Sequence, residues 1–405
     1  MQSKTKVTYP EKIKVQEVNE LKEIREVLEK LLYVPTHYER LRPKIIEEII
    51  LYLSSRPEYN KYILQDPSEK DYKSKSFIAY YNGEMVGYIS SEVRPDYISN
   101  TFHCGTFGWP QMINNFDVCK KLINECENFA KSCRINNKRI KKIRGPINWP
   151  KSMGGLGFQT KGFNERPLYG VAFSDPDSQV RDYLKTLGYQ DDSWYSCGEV
   201  TSTVWDQGKK AHKKFKIKYK SLEEIINMKE EIQDLAANSF HKILPDTAGG
   251  EYRFKDLVNC YSQIPMTLYG MNDGFNPETD LNRPEYRETY NECDFNRAII
   301  FAILVYTRYE DKFVGGIFCL PDLFELELDG KISRANVDTV MMRKEFSNQG
   351  GFSLANNFGQ KFCNLKGVTY KEGTGIFKDN TRAVKTIFPH LKLIREHVVM
   401  QKRLK

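Results

Sequence analysis

The chain has 405 residues, with 61 Lys and Arg against 53 Asp and Glu, a formal net charge of +8, 40% hydrophobic and 28% charged residues. This balance belongs to a folded globular chain and excludes the disordered, collagen-like and membrane-embedded classes. At roughly 100–200 residues per domain the length predicts two domains, each large enough to bury a core.

The longest apolar run, Ala298 to Tyr306, is far shorter than the ~20 residues that cross a bilayer, so no membrane span is expected. The N-terminal stretch MQSKTKVTYPEKIKV has lysines but no apolar core of a secretory leader, which predicts a cytoplasmic location. Lys12 to Val15 alternates as a strand does, and Asn19 stands as cap before the amphipathic run ELKEIREVLEKLL. Phe77 to Val93 reads as two strands joined at Asn82-Gly83, a strong hairpin-turn dipeptide. A strand TFHCGTFGW follows. Then comes a helix on which Cys119, Cys126 and Cys133 recur every seven residues beside Val118, Leu122, Ile123, Phe129 and Ala130, a stripe expected to be buried. The nine cysteines are odd in number and form no CxxC pair, so no disulfide framework is expected. No HxxxH or HExxH pattern occurs among the six histidines, and no metal site is expected. KRIKKIRGPINWP, a helix through VRDYLKTLGY and a strand near YSCGEVTS complete this half.

The same plan then recurs after a joint near Asp206 to Lys213. Gly208 to Lys220 holds seven lysines, and the alternation of Phe215, Ile217 and Tyr219 reads as a strand with lysines along one exposed face; a phosphate-rich partner is the alternative. Ser221 and Glu224 have capping-box spacing before a helix through LEEIINMKEEIQDLAANSF. Met271 to Cys293 is polar, with two prolines, and reads as an inserted loop. Ile299 to Leu320 forms a second hairpin with Asp311 near its turn, and YEDKFVGGI (Tyr309 to Ile317) lies over YNGEMVGYI (Tyr81 to Ile89) without a gap. NVDTVMM, GGFSLANNFGQKF, VTYKEGTGIF, TRAVKTIF and KLIREHVVMQKRL then repeat strand, helix, strand, helix, strand. The expectation is an α/β fold with mixed sheet, in two copies at 1–207 and 208–405, with an insertion at 271–293.

Strand, two helices, hairpin, then strand-helix-strand-helix-strand is the element order of the GNAT acyltransferase superfamily. IRGPINWP (Ile143 to Pro150), GLGFQTKGFNERP and the Gly188-Tyr189 helix end resemble the first half of tandem GNAT proteins, and TGIFKDNTRAV (Thr374 to Val384) resembles the fifth strand and fourth helix of a GNAT domain. The resemblance implies an acyl-CoA or acetyl-CoA co-substrate whose pyrophosphate rests on the turn between the fourth strand and third helix, where main-chain N–H groups point at the anion. EFSNQGGFSL (Glu345 to Leu354) has that place, and of the family pattern [R/Q]xxGx[G/A] only Gly350 matches, Ser347 and Phe352 departing. Implied donor contacts are Val340, Met341 and Met342 on the strand, Ser347, Asn348, Gln349, Gly350, Gly351, Phe352 and Ser353 at the turn, and Asn380 at the head of the fourth helix. The first half has GWPQMINNFDVCKKL there, without a glycine pair and with Pro110 lacking an N–H, so it is expected to be degenerate for donor binding.

For catalysis the resemblance places a carboxylate base near Asn336, and Asp338, two residues on and so on the same strand face, is the base expected. The tyrosine that serves as acid in the family falls at Phe388, leaving Tyr370, His390 or water. Acceptor contacts are implied at His241, Asp246 and Glu251, and at the acidic group Asp322, Glu325 and Glu327. The function implied is acyl transfer to an amine of a small-molecule or amino-acid-like acceptor. An aminoacyl-tRNA-dependent transferase is the alternative suggested by the lysine-rich joint, and a non-catalytic binding protein is that suggested by the absent tyrosine; no DNA partner is expected.

Overall fold

The computed structural model describes residues 13–65, 70–99, 102–149, 154–201, 206–220, 222–239, 302–365 and 367–405, with isolated helical positions at 279, 284, 287 and 288. The first repeat runs β1 (Ile13–Glu17), α1 (Leu21–Leu31), α2 (Arg42–Ser54), β2 (Lys73–Tyr81), β3 (Glu84–Ser99), β4 (Phe102–Met112), α3 (Phe116–Ser132), the short pair β5 (Arg134–Ile135) and β6 (Lys138–Arg139), β7 (Lys142–Gly145), β8 (Phe158–Lys161), α4 (Val180–Thr186) and β9 (Gln190–Val200). The second runs α5 (Asp206–Ala211), β10 (Phe215–Lys220), α6 (Leu222–Asn227), α7 (Lys229–Ser239), β11 (Ala302–Thr307), β12 (Phe313–Pro321), α8 (Leu323–Asp329), β13 (Arg334–Met342), α9 (Gly351–Leu365), β14 (Tyr370–Phe377), α10 (Thr381–Thr386) and β15 (Leu391–Arg403).

Local chemistry accounts for the element ends. The β2–β3 turn sets Asn82 and Gly83 at φ 52° and 86°, the two left-handed residues of a tight hairpin. Asn115 caps α3 by accepting from the amides of Asp117 and Val118, and the helix buries Val118, Cys119, Leu122, Ile123, Cys126, Phe129 and Ala130 against β2–β4, as the heptad of cysteines requires. Burial pushes the Cys119 thiol up to about 12. Two local expectations are corrected. Glu20, not Asn19, is the residue before α1, and no side chain caps it. Leu222 to Phe240 is interrupted at Met228, giving α6 and α7 in place of one helix. Ser221, His241, Asp246, Glu251 and, apart from the four helical positions just named, the Met271 to Cys293 segment lie outside the described residues.

All the long strands join one mixed sheet in the order β1-β2-β3-β4-β7-β15-β9-β14-β13-β12-β11-β10, with β8 on the side of β15. Each repeat has one parallel pair, β4 with β7 and β13 with β14. Sheet order departs from chain order at the centre: β15, from the end of the second repeat, pairs with β7 of the first (Met400 opposite Gly145), while β9 of the first pairs with β14 of the second (Gly373 opposite Gly198). The repeats have exchanged their last strands, which pair with each other from Leu391↔Val200 to Gln401↔Gln190.

Two buried polar clusters pin this exchange. The Arg144 side chain, fully enclosed, reaches Asp192 at 2.6 Å, Ser193 Oγ at 2.6 Å, Gln401 Oε1 at 2.8 Å and Tyr97 OH at 3.2 Å. Arg395 on β15 forms an ion pair with Glu372 on β14 at 3.1 Å and donates to the Arg166 carbonyl at 2.7 Å. A buried charge is tolerable only with such partners. The lysine-rich segment makes α5 and β10, and β10 is an edge strand. Lys216 and Lys218 share Asp311 and Lys220 pairs with Glu224, so the expected exposed lysine face is half-buried, and its charges blunt the edge.

Candidate active site

β13 and β14 pair in parallel from Arg334↔Tyr370 to Val337↔Gly373 and then part. β13 continues along β12, and β14 turns onto β9 through Ile376↔Ser196 and Phe377↔Tyr195. The parting follows from a β-bulge: Val337 opposes Cys319 and Thr339 opposes Phe318, leaving Asp338 as the extra residue. The V-shaped cleft that results has about 1030 Å3 of space, open on one side, between β13, β14, α9 and α10. Val337 to Val340 and Gly373 to Phe377 form its two strand walls; Phe352, Asn356 and Gln360 face it from α9, and Asn380 and Ala383 from α10.

At the end of β13 a short 3-10 turn, Lys344–Phe346, leads into α9 through Asn348 and Gly350 at φ 61° and 84°. Side chains of this turn are occupied within it or by its neighbours. Ser347 Oγ donates to the Arg343 carbonyl at 3.3 Å, Gln349 Nε2 to the Glu345 carbonyl at 3.0 Å, and Lys214 reaches Gln349 Oε1 at 3.5 Å. Gly350 and Gly351 thus present main chain at the start of a fifteen-residue helix, where partial positive charge gathers. A second feature fits an acyl-CoA: Asn356 Nδ2 is buried beside the cleft with no hydrogen-bond partner among the described residues, a donor suited to an amide carbonyl.

The residues expected from sequence divide. Asp338 lines the cleft and also a smaller cavity of about 340 Å3 beyond it, shared with Thr374, Tyr195, Cys197 and His397, so it stands at the junction of the two. Thr339 Oγ1 donates to Asp338 Oδ2 at 2.6 Å. Val340 and Phe352 face the cleft, and Asn380 both lines it and caps α10, accepting from the Ala383 amide at 3.3 Å. Met341 points the other way, into the core against α7, and Met342 packs in the cluster under α9. Ser353 is buried and abuts Gly208 of α5. Tyr370 is one residue off the lining: its hydroxyl donates to Glu372 at 2.7 Å, Arg334 lies 4.7 Å over its ring, and burial pushes its pKa up. His390 ends a 3-10 turn, its carbonyl held by the Thr201 amide, and does not line the cleft. Glu325 is buried and accepts from the Ser333 amide and hydroxyl, both at 2.6 Å, closing the α8–β13 turn. Asp322 likewise caps α8 and holds Arg334 at 3.5 Å, with burial raising its pKa to about 6.

Missed by the sequence reading were Asn356, Gln360, Thr374 and Lys371. The first two follow Phe352 at spacings of four and eight, polar residues set into an apolar helical stripe, which is the signal that would have found them. Lys371 Nζ is held by Asn364 Oδ1 at 2.5 Å and the Val368 carbonyl at 3.1 Å, and burial lowers its pKa.

In the first repeat the corresponding opening is closed. Past Thr106↔Arg144 the chain after β7 crosses the gap, Ile147 N donating to the Phe107 carbonyl at 2.8 Å and Trp109 N to Asn148 Oδ1 at 2.8 Å. A Cβ on Gly108 would collide with the Ile147 carbonyl. The first amides of α3 are taken by Asn115.

His397, fully buried in the small cavity, sits 2.8 Å from the Ala172 carbonyl through Nε2, and burial lowers its pKa from 6.5 to about 4. The unfolded chain therefore takes up a proton here between pH 6.5 and 4 that the folded protein refuses. Stability from this residue is complete above pH 6.5 and is lost as pH falls toward 4, by about 3 kcal/mol. Urea unfolding of His397→Gln at pH 7 and pH 5 should show a smaller acid loss than the parent; equal losses would contradict the burial of a neutral imidazole.

No protein-family model matches the chain, and no curated protein matches it in sequence. Among solved structures, the glucosamine N-acetyltransferase region of a fungal multi-domain GH3 β-N-acetylglucosaminidase aligns at TM-score 0.50 and 11% identity, over 97% of this chain and 38% of that one. A GCN5-related N-acetyltransferase from Sphaerobacter thermophilus aligns at TM-score 0.45 and 10% identity over 85% of each chain. A tandem GNAT protein from the clavulanic acid biosynthesis pathway aligns at 0.48 and 8%, over 97% of this chain and 99% of that one. Twice-repeated strand, helix, hairpin and parallel β-α-β unit, together with the first of these likenesses, give the chain the GNAT fold in tandem form.

Proposed function

We propose that the protein is an acyl-CoA-dependent N-acyltransferase acting on the amine of a small-molecule or amino-acid-like acceptor, with the donor held by the second repeat, 208–405, and the first, 1–207, closed to it. The observation that carries this reading is the difference between the repeats: one β-strand splay open beside a glycine turn and an Asn356 amide with no partner among the described residues, the other crossed by its own chain. The bound co-substrate supplies an activated thioester carbonyl. Gly350 and Gly351 hold its diphosphate with main-chain amides, and Asn356 positions the arm. Asp338, where cleft and inner cavity meet, takes the proton of the acceptor amine, its carboxylate oriented by Thr339 Oγ1. Water is the reading for the proton that returns to the sulfur, since Tyr370 is tied to Glu372 and His390 lies off the cleft. The carboxylate partners of Lys216, Lys218 and Lys220 weigh against a tRNA-bound donor.

Asp338→Asn should lower kcat roughly 100-fold with CoA affinity within about twofold of the parent, because a base acts on the chemical step and not on donor binding. Steady-state kinetics on an amine panel with acetyl-CoA, alongside calorimetric CoA titration, reads both. Parental turnover in the variant eliminates Asp338 as the base, and absence of CoA binding by the parent eliminates the reading.

A further inference from the structure

We propose that the first repeat carries a second ligand site, an aromatic pocket bearing Glu48 that takes a small organic ammonium ion with a hydrogen-bond acceptor of its own. The pocket, with the solvent at its mouth, spans about 590 Å3 between α2, the end of α1, β4 and the chain that closes the first splay. Its lining shares no residue with the donor cleft, so the site does not depend on the donor assignment.

Six rings form its walls: Tyr33, Tyr52, Trp109, Trp149, Phe173 and Phe324. Several are fixed in place. Tyr52 OH donates to the Glu92 carboxylate at 3.1 and 3.2 Å, Trp149 Nε1 to Thr106 Oγ1 at 3.2 Å, and Tyr33 and Phe173 lie 6.4 Å apart. Arg94 already lies 4.5 Å over the Trp149 ring, which shows this wall to be one that attracts a cation, and rings held this way need no further ordering to take another.

Glu48 adds a carboxyl group that a bound cation would hold in its charged form. Its side chain is 12% exposed, and burial raises its pKa to about 7 against the opposing pull of Lys44. Lys44 stands 3.3 Å away with a 37% exposed side chain and is not part of the lining, so it leaves the inner side of the pocket to another cation.

The ligand's second feature follows from Trp109. Its Nε1 is buried with no acceptor among the described residues, and its backbone sits at φ 50°, a left-handed conformation that a bulky residue adopts only when its surroundings impose it. Asn148 imposes it by accepting from the Trp109 amide at 2.8 Å while its own Nδ2 binds the Gly154 carbonyl at 3.0 Å. Trp109 lines the pocket, and a hydroxyl or carbonyl on the ligand would supply the acceptor that its indole N–H lacks among the described residues. Choline and ethanolamine have both features.

The test is calorimetric titration of the full-length protein with choline, with ethanolamine and with 3,3-dimethylbutan-1-ol, the neutral isostere of choline, repeated on Glu48→Gln and Trp109→Phe after circular dichroism confirms the fold. Choline should bind at least about tenfold more tightly than its isostere, and Glu48→Gln should weaken choline by about tenfold while leaving the isostere unchanged. Trp109→Phe, which keeps a ring, should weaken choline as well. Equal affinity for choline and its isostere, an unaltered choline affinity in Glu48→Gln, or no heat with either cation would each overturn the proposal; the first comparison needs no variant.

Discussion

Gly350→Val is expected to weaken CoA binding more than tenfold while the protein remains folded. Gly350 has φ 84°, a region closed to a β-branched residue at a cost of roughly 1–3 kcal/mol. The turn can relieve that strain only by rotating the peptide planes on either side, and those planes aim the amides at the start of α9. An anion cradle depends on several N–H groups converging on one point, so a small rotation removes more affinity than stability. Gly351→Ala is the control. Its added Cβ would meet Met342 Cε at 3.2 Å and Val305 Cγ1 at 3.4 Å, where a flexible methionine can give way, and its affinity should stay near the parent's. Calorimetric titration with CoA decides the matter: a Gly350→Val affinity within twofold of the parent removes this turn from the donor site.

Arg395→Ala should destabilise the protein by about 3–5 kcal/mol, because it strands the enclosed Glu372 carboxylate without its cation and empties the bond to the Arg166 carbonyl. Glu372 already binds its proton more readily than an ordinary carboxylate, through burial. Loss of Arg395 will push it further in that direction. Glu372→Gln placed on top of Arg395→Ala should recover part of the loss, as the uncompensated charge is gone. Urea unfolding followed by circular dichroism provides the measurement. A loss below about 1 kcal/mol would mean that the pair is hydrated and contributes as a surface ion pair does.

Local signals explain what was legible in the sequence. Asn82-Gly83 fixes a hairpin by its own backbone chemistry, the seven-residue spacing of Cys119, Cys126 and Cys133 fixes a buried helix face, and the repeated order of strands and helices brings β13 and β14 side by side. Asp338 and Gly350 were named by counting along one strand and the turn after it, and the structure puts Asp338 on the cleft wall and Gly350 at a left-handed turn. What escaped depends on partners far away in the chain. Whether Tyr370 or Lys371 faces the cleft is a matter of one residue of register against β13, and a single step reverses every side chain of a strand. Glu325 looks like a surface acid until the Ser333 amide and hydroxyl are brought to it. Strand periodicity does not announce the exchange of β9 and β15, since it is alike in both; what fixes it are side-chain partners far apart in the chain, such as Arg144 and Gln401.

That exchange sets an order of events during synthesis. The edge of β7 has no permanent neighbour until Leu391–Arg403 has been made, some 250 residues later, so a nascent chain emerging from the ribosome carries an open strand edge for most of its translation. Completion must be late and all at once, and partner exchange between two unfinished copies is the natural accident.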